Sequence, residues 1–172
     1  MRLIILLCVT MLTSCTGVPE NITPVSNFEL PRYLGKWYEI ARLPHPFEEG
    51  LNKVTAEYER RADGGIKVIN RGFHSEDKEW KEAEGKAYFV DEENTGHLKV
   101  SFFGPFYASY VIIELDENYQ YAMVTGPDRD YLWILSRRPQ LKQQTVERLV
   151  NQASSLGYPV EELIFVKHDI GV

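Results

Sequence analysis

Apolar and polar positions alternate along most of the chain. In "KVTAEYER", Val54, Ala56 and Tyr58 share one side, while Thr55, Glu57 and Glu59 take the other. This period of two predicts a half-buried strand. "RRADGGIKVINRGF" follows, with Asp63-Gly64-Gly65 as a hairpin turn, because glycine tolerates a positive φ. "GKAYFV" and "HLKVSFF" flank the polar loop "DEENTG", and Leu98, Val100 and Phe102 share a face of the second. "SYVIIELDENYQYAMVTG" predicts two strands around Asp116-Glu117-Asn118, and "DYLWILSR" predicts another. Eight short strands are expected between Gly35 and Arg137.

The period then changes. In "PQLKQQTVERLVNQASSLGYP", Leu141, Thr145 and Leu149, and Val146, Val150 and Ala153, recur at helical spacing. Pro139 suits the start of this helix, and Gly157 and Pro159 its end. "ELIFVKH" predicts a last short strand. Hairpins followed by one helix predict a closed, eight-stranded antiparallel barrel with the helix packed outside, because closure removes unpaired edges. An open sandwich satisfies the same pattern. An eight-stranded barrel is just wide enough to hold one small ligand. Phe73 and Trp80 in "NRGFHSEDKEWKEAEG" are expected near a long loop, and the rings of "SFFGPFYASY" at the rim of an opening. The same aromatic residues would also serve an ordinary filled core.

The start of the chain follows another pattern. Arg2 precedes an apolar run from Leu3 to Leu12, interrupted by Thr10. The run is short of the roughly 20 residues needed to span a membrane. A positive start, a short apolar run and small residues form a secretory signal. Here Thr13 and Ser14 lead into Cys15. The boundaries expected are a signal over 1–14, a lipidated Cys15 with a flexible tether over 15–27, and one folded domain over 28–172. "TGVPENITPVSN" is polar, aperiodic and contains Pro19 and Pro24, as a tether would be. Cys8 falls in the signal, so the mature chain has no thiol besides Cys15 and no disulfide. Stable anchoring requires more than one acyl chain.

The formal charge of −6, without a basic cluster beyond Arg60-Arg61 and Arg137-Arg138, argues against a nucleic-acid partner. Three Trp, ten Tyr and eight Phe supply a large amphipathic surface for one domain. No catalytic pattern stands out. His45, His74, His97 and His168 have no partner at metal-ligand spacing. A G-x-S-x-G elbow and a phosphate-loop context are both missing. No cofactor or metal is expected, and the chain reads as a binding protein and not an enzyme.

"PRYLGKWYEIARLP", with Gly35-Lys36-Trp37, resembles the first signature of the lipocalin family. "VTGPDRDYLWILSR" resembles the later signatures, with Asp130-Tyr131 before the strand and Arg137 after it. Order and spacing match over residues 28–169, and "GPFYASYVIIELD" is similar to the family's bacterial outer-membrane lipoprotein branch. "LTSCT" likewise resembles the acylation site of bacterial lipoproteins, with no Asp after the cysteine, which favours the outer membrane, on its periplasmic face. The resemblance implies a closed end where Arg137 lies over Trp37, with Gly35 turning the chain into the strand. It also places Asp128, Arg129 and Asp130 in a closed-end turn.

The resemblance implies a fatty acid or lysophospholipid as partner, stored or carried in the barrel. Alternation and the family match together nominate Phe47, Val54, Ala56, Tyr58, Tyr88, Leu98, Val100, Phe102, Tyr110, Tyr121 and Trp133 as its wall, although a slip of one residue would invert the facing. The loop "LPHPFEEGLNK" is expected to arch over the mouth, with Phe47 toward the ligand and Glu48 and Glu49 toward water, where they would suit a cationic head group. Phe103, Phe106 and Tyr107 cannot all point inward, which leaves an apolar patch for a homodimer or the membrane. The rival functions are a structural or assembly lipoprotein with a filled barrel, and a binder of another hydrophobic molecule such as haem, with His45 or His74 as axial ligand.

Overall fold

The computed structural model describes residues 16–168. The signal over 1–14, Cys8 and Cys15 lie outside them. A short helix α1 (Leu30–Tyr33) leads into nine strands and one longer helix: β1 (Gly35–Arg42), β2 (Leu51–Arg60), β3 (Ile66–His74), β4 (Glu79–Phe89), β5 (His97–Ser101), β6 (Ala108–Leu115), β7 (Tyr121–Thr125), β8 (Leu132–Ser136), α2 (Gln143–Ser155) and β9 (Ile164–Phe165). Each strand from β1 to β8 pairs antiparallel with the next, and β8 pairs back onto β1. The sheet therefore closes into an eight-stranded barrel, and β9 adds to the outer end of β1. The sandwich alternative is excluded by the β1–β8 and β1–β2 pairings together.

Successive strands run in opposite directions, so the loops fall into two sets. Connections β2–β3, β4–β5 and β6–β7 lie at the end where β1 begins. Connections β1–β2, β3–β4, β5–β6 and β7–β8 lie at the other end, the mouth. "GPDRDY" joins β7 to β8 and is therefore at the mouth. The expectation that Asp128, Arg129 and Asp130 form a closed-end turn is corrected by this polarity. The acidic connections at the closed end are Asp91–Glu93 between β4 and β5 and Asp116–Tyr119 between β6 and β7, where Asp116 accepts hydrogen bonds from the backbone amides of Asn118 and Gln120.

Alternation was clearest where only one face of a strand is covered. On β2, Val54 and Tyr58 are buried between half-exposed neighbours. The stretch read as a loop around Phe73 and Trp80 is instead a long β3–β4 hairpin, with the two residues paired across strands and their rings 5.6 Å apart. Its polar residues hid it, because both faces of the hairpin tip meet solvent.

Helix α2 lies against the outside of β1, β7 and β8. Leu149 and Ala153 are fully buried there, with Val146 and Val150 beside them, on Ile40, Met123, Leu132 and Ile134. Burying a leucine of this kind contributes about 1.5–3 kcal/mol. The helix stops at Gly157, whose φ of 84° is the left-handed conformation that ends helices. Residues 16–27, expected as a loose tether, run along the barrel wall. The Val25 amide donates to the Ile112 carbonyl at 2.9 Å, the Gly96 amide donates to the Val25 carbonyl at 2.9 Å, and Ser26 bridges to Thr95. Val25 and Ile22 supply the apolar contacts that hold a segment otherwise polar in composition.

Candidate binding site

The closed end is built from the residues before and within β1. Gly35 has a φ of 90° and turns the chain from α1 into the strand, a conformation that disfavours residues with a Cβ. Trp37 then points inward and is fully buried. Its indole N–H donates to the Tyr33 carbonyl at 2.8 Å, and the Tyr33 ring packs 4.7 Å away. From outside, Arg137 lies 4.0 Å over the indole centroid. Its guanidinium also donates to the Lys36 and Arg32 carbonyls at 2.9 and 2.7 Å, and at 3.3 Å to that of Tyr119. Phe28 and Leu30 complete the plug. The floor is closed by packing and capped by one cation.

Above this floor is a cavity of about 730 Å³ that opens at the mouth, within the range of small-molecule sites. Val54, Ala56, Ile66, Val68, Ala87, Leu98, Val100, Phe102 and Leu135 give it an apolar wall. At its base the hydroxyls of Tyr33, Tyr58 and Tyr110 form a chain, 2.7 Å from Tyr33 to Tyr110 and 2.8 Å from Tyr58 to Tyr110. Burial is the first cause that raises the pKa of all three phenols, so they stay neutral. The polar atoms at the base thus satisfy one another, and the wall above offers an acyl chain few competing groups.

Of the nominated wall residues, Phe47, Val54, Ala56, Tyr58, Leu98, Val100, Phe102, Tyr110 and Trp133 line this cavity. Tyr88 and Tyr121 do not. On β4 it is the small Ala87 that faces in, while the Tyr88 hydroxyl donates to Asp63 at the β2–β3 turn and its ring meets Tyr107. On β7, Ala122 and Val124 face in. Tyr121 lies on the helix side, where its hydroxyl accepts from Arg148 at 3.1 Å. β7 is covered on both faces and apolar on both, so alternation did not mark its inner one.

The mouth holds a cluster that the pattern of strands did not single out. Glu39 of β1 faces the cavity and is buried. Arg42 donates to its carboxylate at 2.7 Å, and to the Glu48 and Leu51 carbonyls at 2.6 and 3.3 Å. Glu48 was expected to face water with Glu49. Instead the short 3-10 turn Pro46–Glu48 carries its carboxylate inward. There His45 Nε2 lies 2.8 Å from Oε2, which also accepts from the Trp133 indole at 3.1 Å. Phe47 takes the outer position, lining the mouth while 72% exposed. The two acids are pushed apart in acidity. Burial, then the nearby Glu48, holds Glu39 well above the usual carboxylate range, and Arg42 offsets this only in part. Burial also opposes ionisation of Glu48, but hydrogen bonding and charge from His45, with Trp133 and Arg42, outweigh it and bring its pKa below the usual range. The cluster pins the mouth loop to β1, β2 and β8. A lone Glu in the apolar run "WYEIA", two residues from Trp37 and so on its face of β1, was its only sequence signal.

Across the mouth, Arg71 and Lys81 supply positive charge beside Asn70 and Glu82. Arg71 stacks over Trp80 at 4.5 Å, and Lys81 pairs with Asp77 and Glu79. The His74 ring lies at Gly50 and pairs with Asp77 at 3.0 Å, which turns it from the cavity. Among the described residues, no group of three or more His, Cys, Asp or Glu side chains is placed to hold a metal ion. None of the described helices is long and apolar enough to cross a membrane.

Comparison with known proteins gives the same architecture. Residues 28–168 match the family described as "Lipocalin-like domain". The outer membrane lipoprotein Blc of Vibrio cholerae is 56% identical over 95% of this chain and 96% of its own. The protein of that name in Escherichia coli K12 is 50% identical over 87% and 84%. Insecticyanin from the tobacco hornworm Manduca sexta superimposes with a TM-score of 0.69 at 21% identity, covering 88% of this chain and 86% of that one, a likeness of fold.

Proposed function

The chain belongs to the lipocalin family, and on that premise we propose that its barrel binds one single-chain lipid, a fatty acid or a lysophospholipid, for storage or transport at the bacterial outer membrane. The observation that carries this reading is the cavity: about 730 Å³, apolar along its wall, self-satisfied at its base and polar at its mouth. An acyl chain entering it gains about 0.8 kcal/mol per buried CH₂. The head group would remain at the mouth, between the Glu39–Glu48 cluster and Arg71 and Lys81. A group with both charges, or an anion facing the basic side, suits that rim, where Glu48 and Glu49 alone point to a choline or ammonium head. The protein is an outer-membrane lipoprotein like its relatives, and we assign the acylation to Cys15, which follows the signal over 1–14. It acts by binding, without catalysis.

The test is displacement of a fluorescent fatty acid from the delipidated protein. Fatty acids and lysophospholipids should compete at one site per chain, and two-chain phospholipids poorly. Failure of both single-chain classes to bind would overturn the proposal and return the barrel to a structural role.

A further inference from the structure

One part of the mouth differs from the rest. The β1–β2 loop carries Glu49, the β3–β4 turn carries Glu76, Asp77 and Lys78, and the β7–β8 loop carries Asp128, Arg129 and Asp130. The β5–β6 loop, residues 102–107, is "FFGPFY" and carries no charge. Phe103 and Phe106 at its tip are 73% and 70% exposed. Below it on the outer surface lie Lys99, whose ammonium sits 5.4 Å over the Tyr107 ring, and Tyr88. Lysine and tyrosine are the residues that sit at a lipid headgroup layer while deeper aromatic rings enter it.

The N-terminal segment reaches the same side of the barrel. The Thr16 carbonyl lies 3.2 Å from the His97 ring, and the Gly17 carbonyl accepts from the Ser109 hydroxyl at 2.6 Å. Ser109 is the second residue of β6, two positions past the uncharged loop, while His97 opens β5 at its closed-end side. Two residues span at most about 7 Å of chain, so an anchor on Cys15 starts from the β5–β6 side of the barrel, the side whose mouth loop carries Phe103 and Phe106.

We propose that the β5–β6 loop is a membrane-docking element: anchored beside it through Cys15, the barrel leans this edge of its mouth into the bilayer, Phe103 and Phe106 enter the acyl boundary, and the acidic loops across the mouth stay in water. The cavity then opens against the lipid surface: Phe102, the first residue of the loop, lies in the cavity wall, and Phe103, Phe106 and Tyr107 line its mouth. The inference rests on the anchor reading of Cys15, but not on any ligand being bound.

The mature chain has no thiol besides the acylated Cys15, so single cysteines can carry an environment-sensitive NBD label in the full lipidated protein. Phe103→Cys, Phe106→Cys, Glu76→Cys and Asp130→Cys would be reconstituted through the anchor into vesicles of phosphatidylethanolamine and phosphatidylglycerol. Labels at 103 and 106 should shift to shorter wavelength and be quenched several-fold more by nitroxide lipids than labels at 76 and 130. Equal quenching at all four positions, or none at 103 and 106, would overturn the one-sided docking. A shift at 103 that lipids do not quench and that disappears on dilution would instead assign the patch to a second copy of the chain. Flotation with the vesicles reports the anchor separately, and no lipid in the barrel is needed, so failure here is distinct from failure of the proposed ligand.

Discussion

Replacing Arg42 with Met should destabilise the protein in a pH-dependent way, because it strands Glu39. The side chains of this pair are 3% and 4% exposed and 2.7 Å apart. Removing one partner of a buried pair costs about 3–5 kcal/mol. The stranded acid limits its loss by keeping a proton. With a free Glu titrating at about 4.3, holding that proton costs about 4 kcal/mol at pH 7 and about 1 kcal/mol at pH 5, at 1.36 kcal/mol per unit. The native protein already bears part of this, since Glu39 is raised even beside Arg42. A raised folded value gives stability that is complete below the unfolded pKa and is lost as pH rises toward the folded one. Removing Arg42 raises that value further, so the variant's deficit grows with pH. Glu48, with its lowered value, has the opposite sign, losing its stabilisation only as pH falls below the usual range. The expected deficit is therefore about 3 kcal/mol at pH 7, falling to about 1 kcal/mol at pH 5. Urea unfolding followed by tryptophan fluorescence at the two pH values measures it. Glu39→Gln combined with Arg42→Met should recover more than half of the loss at pH 7, since no charge is then stranded. A deficit equal at both pH values, or a double variant no more stable than the single, would refute the assignment.

At the closed end, Arg137→Ala removes three hydrogen bonds and the contact over Trp37. It should lower stability by about 2–3 kcal/mol, with solvent exposure discounting the sum, and leave the affinity for single-chain lipid nearly unchanged, as thermal unfolding and probe displacement would show. Val100→Trp fills the cavity from β5 and should weaken lipid binding at least tenfold while the barrel stays folded by circular dichroism. Tyr88→Ala and Tyr121→Ala face away from the cavity and should leave affinity within about twofold, near the scatter of surface substitutions, whereas Tyr110→Ala at the base should reduce it clearly.

The barrel was legible because the inner face alternates with a solvated one on strands that no second layer covers, as on β2, and because the shift to helical spacing at Leu141–Ala153 marks α2 sharply. Alternation lost its information where a second layer covers the sheet. On β7 both Tyr121 and Ala122 lie in apolar surroundings, and only the register with β8 shows which one faces the cavity. The mouth was harder for a different reason. Glu48 and Glu49 are identical in type and adjacent, and the turn at Pro46–Glu48 alone sends one in and leaves the other out. The charged "DRD" segment was assigned to the wrong end of the barrel because resemblance identifies residues without fixing strand direction. Counting strand reversals from Gly35 places it at the mouth.

Native mass spectrometry of the mature protein, released gently from outer membranes, shows whether the cavity holds a lipid. One single-chain lipid per barrel is expected, identified by fragmentation as a fatty acid or lysophospholipid and absent from Val100→Trp. A wild-type barrel carrying no lipid, or one carrying the same lipid as the Val100→Trp protein, would contradict this expectation.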